Sequence, residues 1–184
     1  MSDPENKSSD ANDAPQATGS LSLIAGFNSE GEPIVEQVAV SVLPNKAQAQ
    51  IDGAKQYRLE KSPVFVRNLA TGDTILFPSQ SKAGFDIVKR SGNLSIRVFN
   101  KGDIQALSQW LTPELELLDG TLEVESPHIL SYSIHVSIGF SQIEALLDRA
   151  VGQFPNTVWY YGNVYDPDDG VSPLNWWQEF LAPV

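Results

Sequence analysis

Cysteine is absent from the 184-residue chain, which excludes disulfide bracing, thiolate metal sites and a cysteine nucleophile and fits a reducing compartment. Histidine is almost absent too: only His128 and His135 occur, in "SPHIL" and "SIHVS", in or beside strand-like runs. Two imidazoles give a Ser-His-Asp arrangement little to draw on. No HExxH, GxGxxG or phosphate-loop pattern is present to supply zinc, dinucleotide or triphosphate chemistry. No window reaches the roughly 20 apolar residues needed to span a bilayer, and the opening "MSDPENKSSDANDAPQATGS" lacks the basic start and apolar run of a signal peptide. The expectation is a soluble, cytoplasmic protein without cofactor or metal, more a binding protein than an enzyme.

Basic residues are few and unevenly placed. Ten of the twelve lie between Lys46 and Lys101, among only four acids, while the whole chain carries a net charge of −11. One mildly basic stretch is therefore set against a strongly acidic remainder, and the acidic part repels phosphate backbones and attracts basic partners. Residues 1–19 contain no Leu, Ile, Val or Phe, too little apolar surface to offset the entropy of ordering, so a disordered acidic tail is expected there.

From residue 20 to about 95 the chain reads as a β-rich module. "LSLIAGF", "EPIVEQVAVSVLP" and "QYRLEKSPVFVRNLATGDTILF" hold dense β-branched runs, and about five short strands with Gly turns point to a small barrel or a strongly bent sheet. "FDIVKRSGNLSIRVF" reads as a hairpin turning at Gly92 and Asn93. The period then changes. "GDIQALSQWL" spaces Ile104, Leu107, Trp110 and Leu111 along one helical face behind Asp103 as cap, with Pro113 and Gly120 ending the run. "TLEVES" and "ILSYSIHVSI" read as strands, the second with Ile134, Val136 and Ile138 on one side. "FSQIEALLDRAVGQF" reads as a helix with Ser141 and Glu144 as a capping box, and "TVWYYGNVY" as a last strand. The order β-α-β-β-α-β over residues 93–165 predicts a ferredoxin-like α+β sandwich.

The run "SPVFVRNLATGDTILF…KRSGNLSIRVF", then a helix, "SYSIHVSI" and "FSQIEALLDRAVGQF", resembles the bacterial domain-of-unknown-function family numbered 4265 over roughly residues 55–165. The resemblance rests on Pro63 and Phe65 ahead of Gly72-Asp73, and on Arg90-Ser91-Gly92 leading into an alternating strand. It implies a fold and a bacterial source and no reaction.

Residues 166–184 form an acidic turn, "DPDDG", followed by Trp176 and Trp177. As a calcium loop it fails, because position 5 from Asp166 is Gly170 and position 12 is Trp177, where an EF-hand needs oxygen ligands. Aromatic anchors ringed by charge suit a protein interface. Trp159, Tyr161, Asp166, Asp168, Asp169, Trp176 and Trp177 are thus candidates for holding a basic partner, as in an immunity protein against a toxin or a regulator of a nuclease. RNA or DNA is disfavoured: Tyr132, Trp159 and Tyr161 would be the stacking residues, yet residues 141–184 hold one Arg against six acids. The alternative is a small-molecule or hydrolytic site between the two modules, lined by Asp73, Arg90 and Arg97.

One local expectation is testable directly. If Gly92 occupies a left-handed turn position, Gly92→Val lowers stability by about 1–3 kcal/mol through backbone strain; a urea melt unchanged from that of the parent chain refutes the assignment.

Overall fold

The computed structural model describes residues 17–44 and 53–182. The chain is a mixed α+β protein with two antiparallel sheets and few helices. The first sheet is a meander of β1 (Ala17–Phe27), β2 (Pro33–Val42), β3 (Lys55–Leu59), β4 (Thr74–Phe77) and β5 (Asp86–Lys89), in that order. The sheet is open, so the barrel expectation fails: β1 and β5 are the two edges and do not pair. Strand β1 begins at Ala17, within the segment expected to be tail, and the rest of that expectation falls outside the described residues.

The second sheet contains β6 (Asn93–Asn100), β7 (Thr121–Glu125), β8 (Ile129–His135) and β9 (Thr157–Tyr161), ordered β7-β8-β6-β9 and antiparallel at every pairing. Helices α1 (Ile104–Glu116) and α2 (Phe140–Gln153) connect β6 to β7 and β8 to β9, and a four-residue helix, α3 (Gln178–Leu181), closes the fold. Among the described residues no helix is long and apolar enough to cross a membrane.

Local chemistry accounts for most boundaries. Asp103 caps α1, its carboxylate accepting from the Ala106 N–H at 3.0 Å. Pro113 does not end this helix, which runs on to Glu116; the chain leaves it where Asp119 takes a φ of 60° and the Gly120 N–H reaches the Leu115 carbonyl at 2.8 Å. At α2 the expected capping box is not formed. Gly139, at φ 92°, stands in the cap position, Ser141 already lies inside the first turn, and Val136–Ile138 form a single 3₁₀ turn that ends β8 at His135. The expected hairpin around Gly92 is also corrected. Gly92 has the left-handed φ of 89°, but β5 and β6 belong to different sheets, so the turn passes the chain between layers. Turn chemistry reports local backbone shape and carries no information on which strand is paired next.

Two apolar cores result. Leu94, Ile96 and Val98 of β6, with Leu130, Tyr132 and Ile134 of β8, face Leu107, Leu111 and Leu115 of α1 and Ile143, Leu146, Leu147 and Ala150 of α2. Leu23, Val38, Val40, Leu59 and Ile75 pack with Val66, Leu69 and Phe85 on the first sheet. Between the cores lies a polar seam. Alternation along β6 and β8 sends Ser95, Arg97, Ser131 and Ser133 to the helix-free side, where all four are buried and Arg97 bonds to the loop joining β3 to β4, residues 60–73.

Arg97 holds that loop. Its guanidinium is fully buried (0 % exposed), donates to the Phe65 carbonyl at 3.4 Å and to the Val66 carbonyl, and lies over the Tyr160 ring at 5.6 Å. On the other side of the loop, the Glu36 carboxylate of β2 accepts from three successive N–H groups, Val64, Phe65 and Val66, at 2.6, 2.9 and 2.9 Å. The Phe65–Val66 peptide thus donates to an anion of one sheet and accepts from a cation of the other. Burial lowers the Arg97 pKa, and the Tyr160 phenol oxygen and the Glu36 charge oppose that shift.

Gly162 leaves the space Arg97 needs, because a Cβ there would fall 2.7 Å from the guanidinium. Gly162→Ala is therefore expected to cost about 1–3 kcal/mol through overpacking. Among the described residues the buried Ser131 hydroxyl has no hydrogen-bond partner, so Ser131→Ala should leave stability unchanged or raise it. Urea denaturation of both variants checks the pair; a neutral Gly162→Ala means the guanidinium can sit elsewhere.

Candidate functional site

The seam continues into a second polar cluster at the start of β6. Asn68 adopts a φ of 68°, gives its N–H to the Gly162 carbonyl at 2.8 Å and receives Arg90 on its own carbonyl at 2.7 Å and on its side-chain oxygen. Asp73 is fully buried and accepts from the N–H groups of Ala70 and Ser91, from the Ser91 hydroxyl and from Arg90 at 3.3 Å. Burial raises the Asp73 pKa against those donors and lowers that of Arg90 against the attraction of Asp73. Each charge is costly alone and is kept by the other. Of the three expected pocket residues, Asp73 and Arg90 are brought together, whereas Arg97 stands apart, fastened to Phe65 and Val66.

The C-terminal residues build around Asn163. Its side chain accepts from the Ser95 N–H and donates to the Asn93 carbonyl, both at 2.9 Å, and its own carbonyl receives the Trp176 indole N–H at 2.7 Å. Arg90 lies over Trp176 at 5.4 Å, so the cluster at Asp73 and the C-terminal segment share one cation. From Trp176 a chain of edge-to-face rings runs both ways: through Trp177, Phe140 and Tyr161 to Trp159, and through Phe180 to His135, with centroids 5.1–5.9 Å apart. Trp159 and Tyr161 lie on the helix side of β9, where the Trp159 indole donates to Asp148 at 3.4 Å and the Tyr161 hydroxyl to Glu144 at 3.3 Å. Burial pushes the Tyr161 pKa upward, and the Glu144 charge adds to the shift. Tyr132 is likewise on the helix side, its hydroxyl 2.8 Å from that of Thr112 and its pKa pushed by burial up to about 12.

The acidic turn folds onto itself. Asp166 accepts from the Asp168 N–H at 2.7 Å, and Asp169 accepts from the N–H groups of Val171 and Ser172 at 2.8 Å and from the Ser172 hydroxyl. Those donors, led by that hydroxyl, lower the Asp169 pKa. Asp168 meets Lys82 at 2.7 Å on an exposed pair, bridging the mouth of a groove of about 750 Å³ between the end of β1 and the turn. A second cleft, about 540 Å³, opens between β3–β5 and α3, and Arg90 lines it.

Several residues that organise the site were not singled out from sequence: Glu36, Asn68, Glu123, Gly162 and Asn163. Glu123 of β7 receives the Ser62 N–H at 2.9 Å and pins the near end of the same loop. A polar residue among apolar neighbours in a strand, such as Glu36 within "IVEQVAV", was the available signal.

If the Trp pair serves the fold, Trp176→Phe strands the buried Asn163 carbonyl and should cost about 1–3 kcal/mol. A melt indistinguishable from that of the parent chain would return Trp176 to the free surface.

No curated protein is significantly similar to the chain in sequence. Among solved structures, the chain is similar to a hypothetical protein from Neisseria gonorrhoeae, described as a novel crystal structure, with 17% identity and a TM-score of 0.57 over 80% of this chain and 95% of that one. That likeness is one of fold. A family profile described as Domain of unknown function (DUF4265) matches residues 45–154, the stretch that holds the seam loop, β6, both long helices and Arg97, and the chain belongs to this family.

Proposed function

We propose that the chain is a non-enzymatic bacterial binding protein that occludes a basic protein partner, such as a toxin or nuclease. The observation that carries the reading is the last turn of α1. Glu114 and Glu116 lie there, with Asp119 three residues past the helix end and no basic residue in the turn, although carboxylates at a helix C-terminus oppose its dipole. Beside them Leu117 is 80 % exposed, at the lip of an apolar groove of about 360 Å³ between α1 and α2 that includes Leu118, Ala145 and Leu146. From residue 102 onward twelve acids face a single Arg, and that Arg149 is held by Glu114 at 3.2 Å. An apolar anchor in an acidic rim fits a partner with a hydrophobic side chain flanked by Lys or Arg.

The rings of Trp159 and Tyr161 and those of Trp176 and Trp177 pack on one another and are linked through Phe140, which supports an anchor at Leu117 over one in the C-terminal segment. The architecture supports the same reading. Strand order β7-β8-β6-β9 with α1 and α2 on one face supports a ferredoxin-like sandwich, and on its helix-free face, which could offer rings to nucleic-acid bases, Arg97 is bonded to the seam loop. The helical face is left as the broad surface for a partner.

The test begins with capture of a partner from the native bacterium on the immobilised chain, followed by binding kinetics. Glu116→Gln with Asp119→Asn, the latter able to keep the left-handed backbone, should slow association on the order of tenfold at low salt and flatten its salt dependence. Leu117→Ala should speed dissociation. A stoichiometric partner indifferent to all three changes sinks the proposal.

A further inference from the structure

We infer that the 540 Å³ cleft between β3–β5 and α3 is an anion site for a phosphorylated small molecule. Arg58 pairs with Thr74 and Thr74 with Lys89 across β3, β4 and β5, beside a register shift that leaves Val88 as the extra residue of β5, so these three side chains share one face, with neighbouring strands about 4.8 Å apart. Both cations therefore flank the Thr74 hydroxyl at a spacing that lets them close on one phosphate. Arg90 and Ser91 enter from the turn before β6, and Phe180 of α3 forms the opposite wall.

Arg58 and Lys89 meet here beside Arg90, whose charge Asp73 balances, in a chain of net charge −11, and among the described residues no acid lines the cleft. Among the described residues neither Arg58 nor Lys89 forms an ion pair. Of the nearby acids, Glu60 is engaged by the Ser41 hydroxyl and Asp73 lies behind Arg90, fully buried. Holding like charges together costs energy that an anion returns. A guanidinium forks onto phosphate oxygens, an ammonium adds a point charge and a hydroxyl donates a further bond. The volume suits a small metabolite, and the Phe180 ring offers a face to an aromatic or apolar moiety.

The inference is independent of the proposed protein partner and is tested on the full chain by amide NMR titration with inorganic phosphate, pyrophosphate and AMP. Saturable shifts centred on Thr74, Lys89 and Ser91 are expected. Arg58→Gln with Lys89→Gln should weaken the affinity at least about tenfold, and Lys82→Gln, which removes an exposed cation elsewhere, should not. AMP binding more tightly than phosphate supports an organic ester packed on Phe180, and equal affinity supports a site for the phosphoryl group alone. Absence of saturable shifts with all three probes overturns the inference, as does equal weakening by Lys82→Gln, which would mean diffuse screening. The amide spectrum of the double variant verifies that it is folded, and Arg58→Lys, which keeps the charge but loses the fork, should fall between the parent and the double variant.

Discussion

One peptide group bonds to a charge on each half of this protein at once. The N–H of Val66 points at the Glu36 carboxylate of one sheet, and the carbonyl of Phe65, in the same plane, points at the Arg97 guanidinium of the other. Two charges that would be expensive to bury in direct contact are instead separated by a dipole aligned with both, and each satisfies backbone groups that the seam loop could not otherwise pair. Gly162 exists to make room for the cation, and the loop's remaining attachments, to Glu123 and to the Gly162 carbonyl, hold the plane in place. The seam is polar because its job is registration: either apolar core could slide on a greasy interface, and neither can slide past these bonds.

The aromatic chain solves a different problem. The helix layer leaves the rings of Phe140 and Tyr161 partly open at one end, and the segment after β9 brings Trp177, Trp176 and Phe180 over them. Arg90 caps the stack and also neutralises Asp73, so the closure of the second sheet and the polar cluster at the first are linked through one guanidinium. The acidic turn between them is held by its own hydrogen bonds and by Lys82, which leaves the remaining surface charge to act over distance.

What could be read from the sequence follows from where the information is local. Ile143, Leu146, Leu147 and Ala150 recur at helical spacing, and Leu94, Ile96 and Val98 alternate, so α2 and β6 are legible from periodicity alone. Asp103 announces α1 in the same way. Pairing is not local: "RSGN" looks the same whether the next strand returns or crosses to another sheet, and the apolar "VFV" of the seam loop looks like a strand although its N–H groups bond a carboxylate. Site chemistry was legible only in part. Arg97 and Asp73 stood out by residue type, but Glu36, Asn68 and Asn163 gain their roles from partners such as Val66, Arg90 and Ser95, which lie 30, 22 and 68 positions away, and no spacing within one chain segment encodes that.

The placement of Gly162 late in the chain has a consequence for how the molecule is made. The seam loop, residues 60–73, leaves the ribosome almost a hundred residues before the strand that must receive it, yet Arg97 finds its full setting only once Tyr160 and Gly162 have joined the sheet. During vectorial synthesis, at roughly 5–20 residues per second, the first sheet waits some seconds with its bridging loop unanchored on one side. The order of synthesis therefore runs opposite to the order of constraint, and a nascent chain that stalls before residue 162 has made nearly all of its secondary structure and cannot yet lock its halves together.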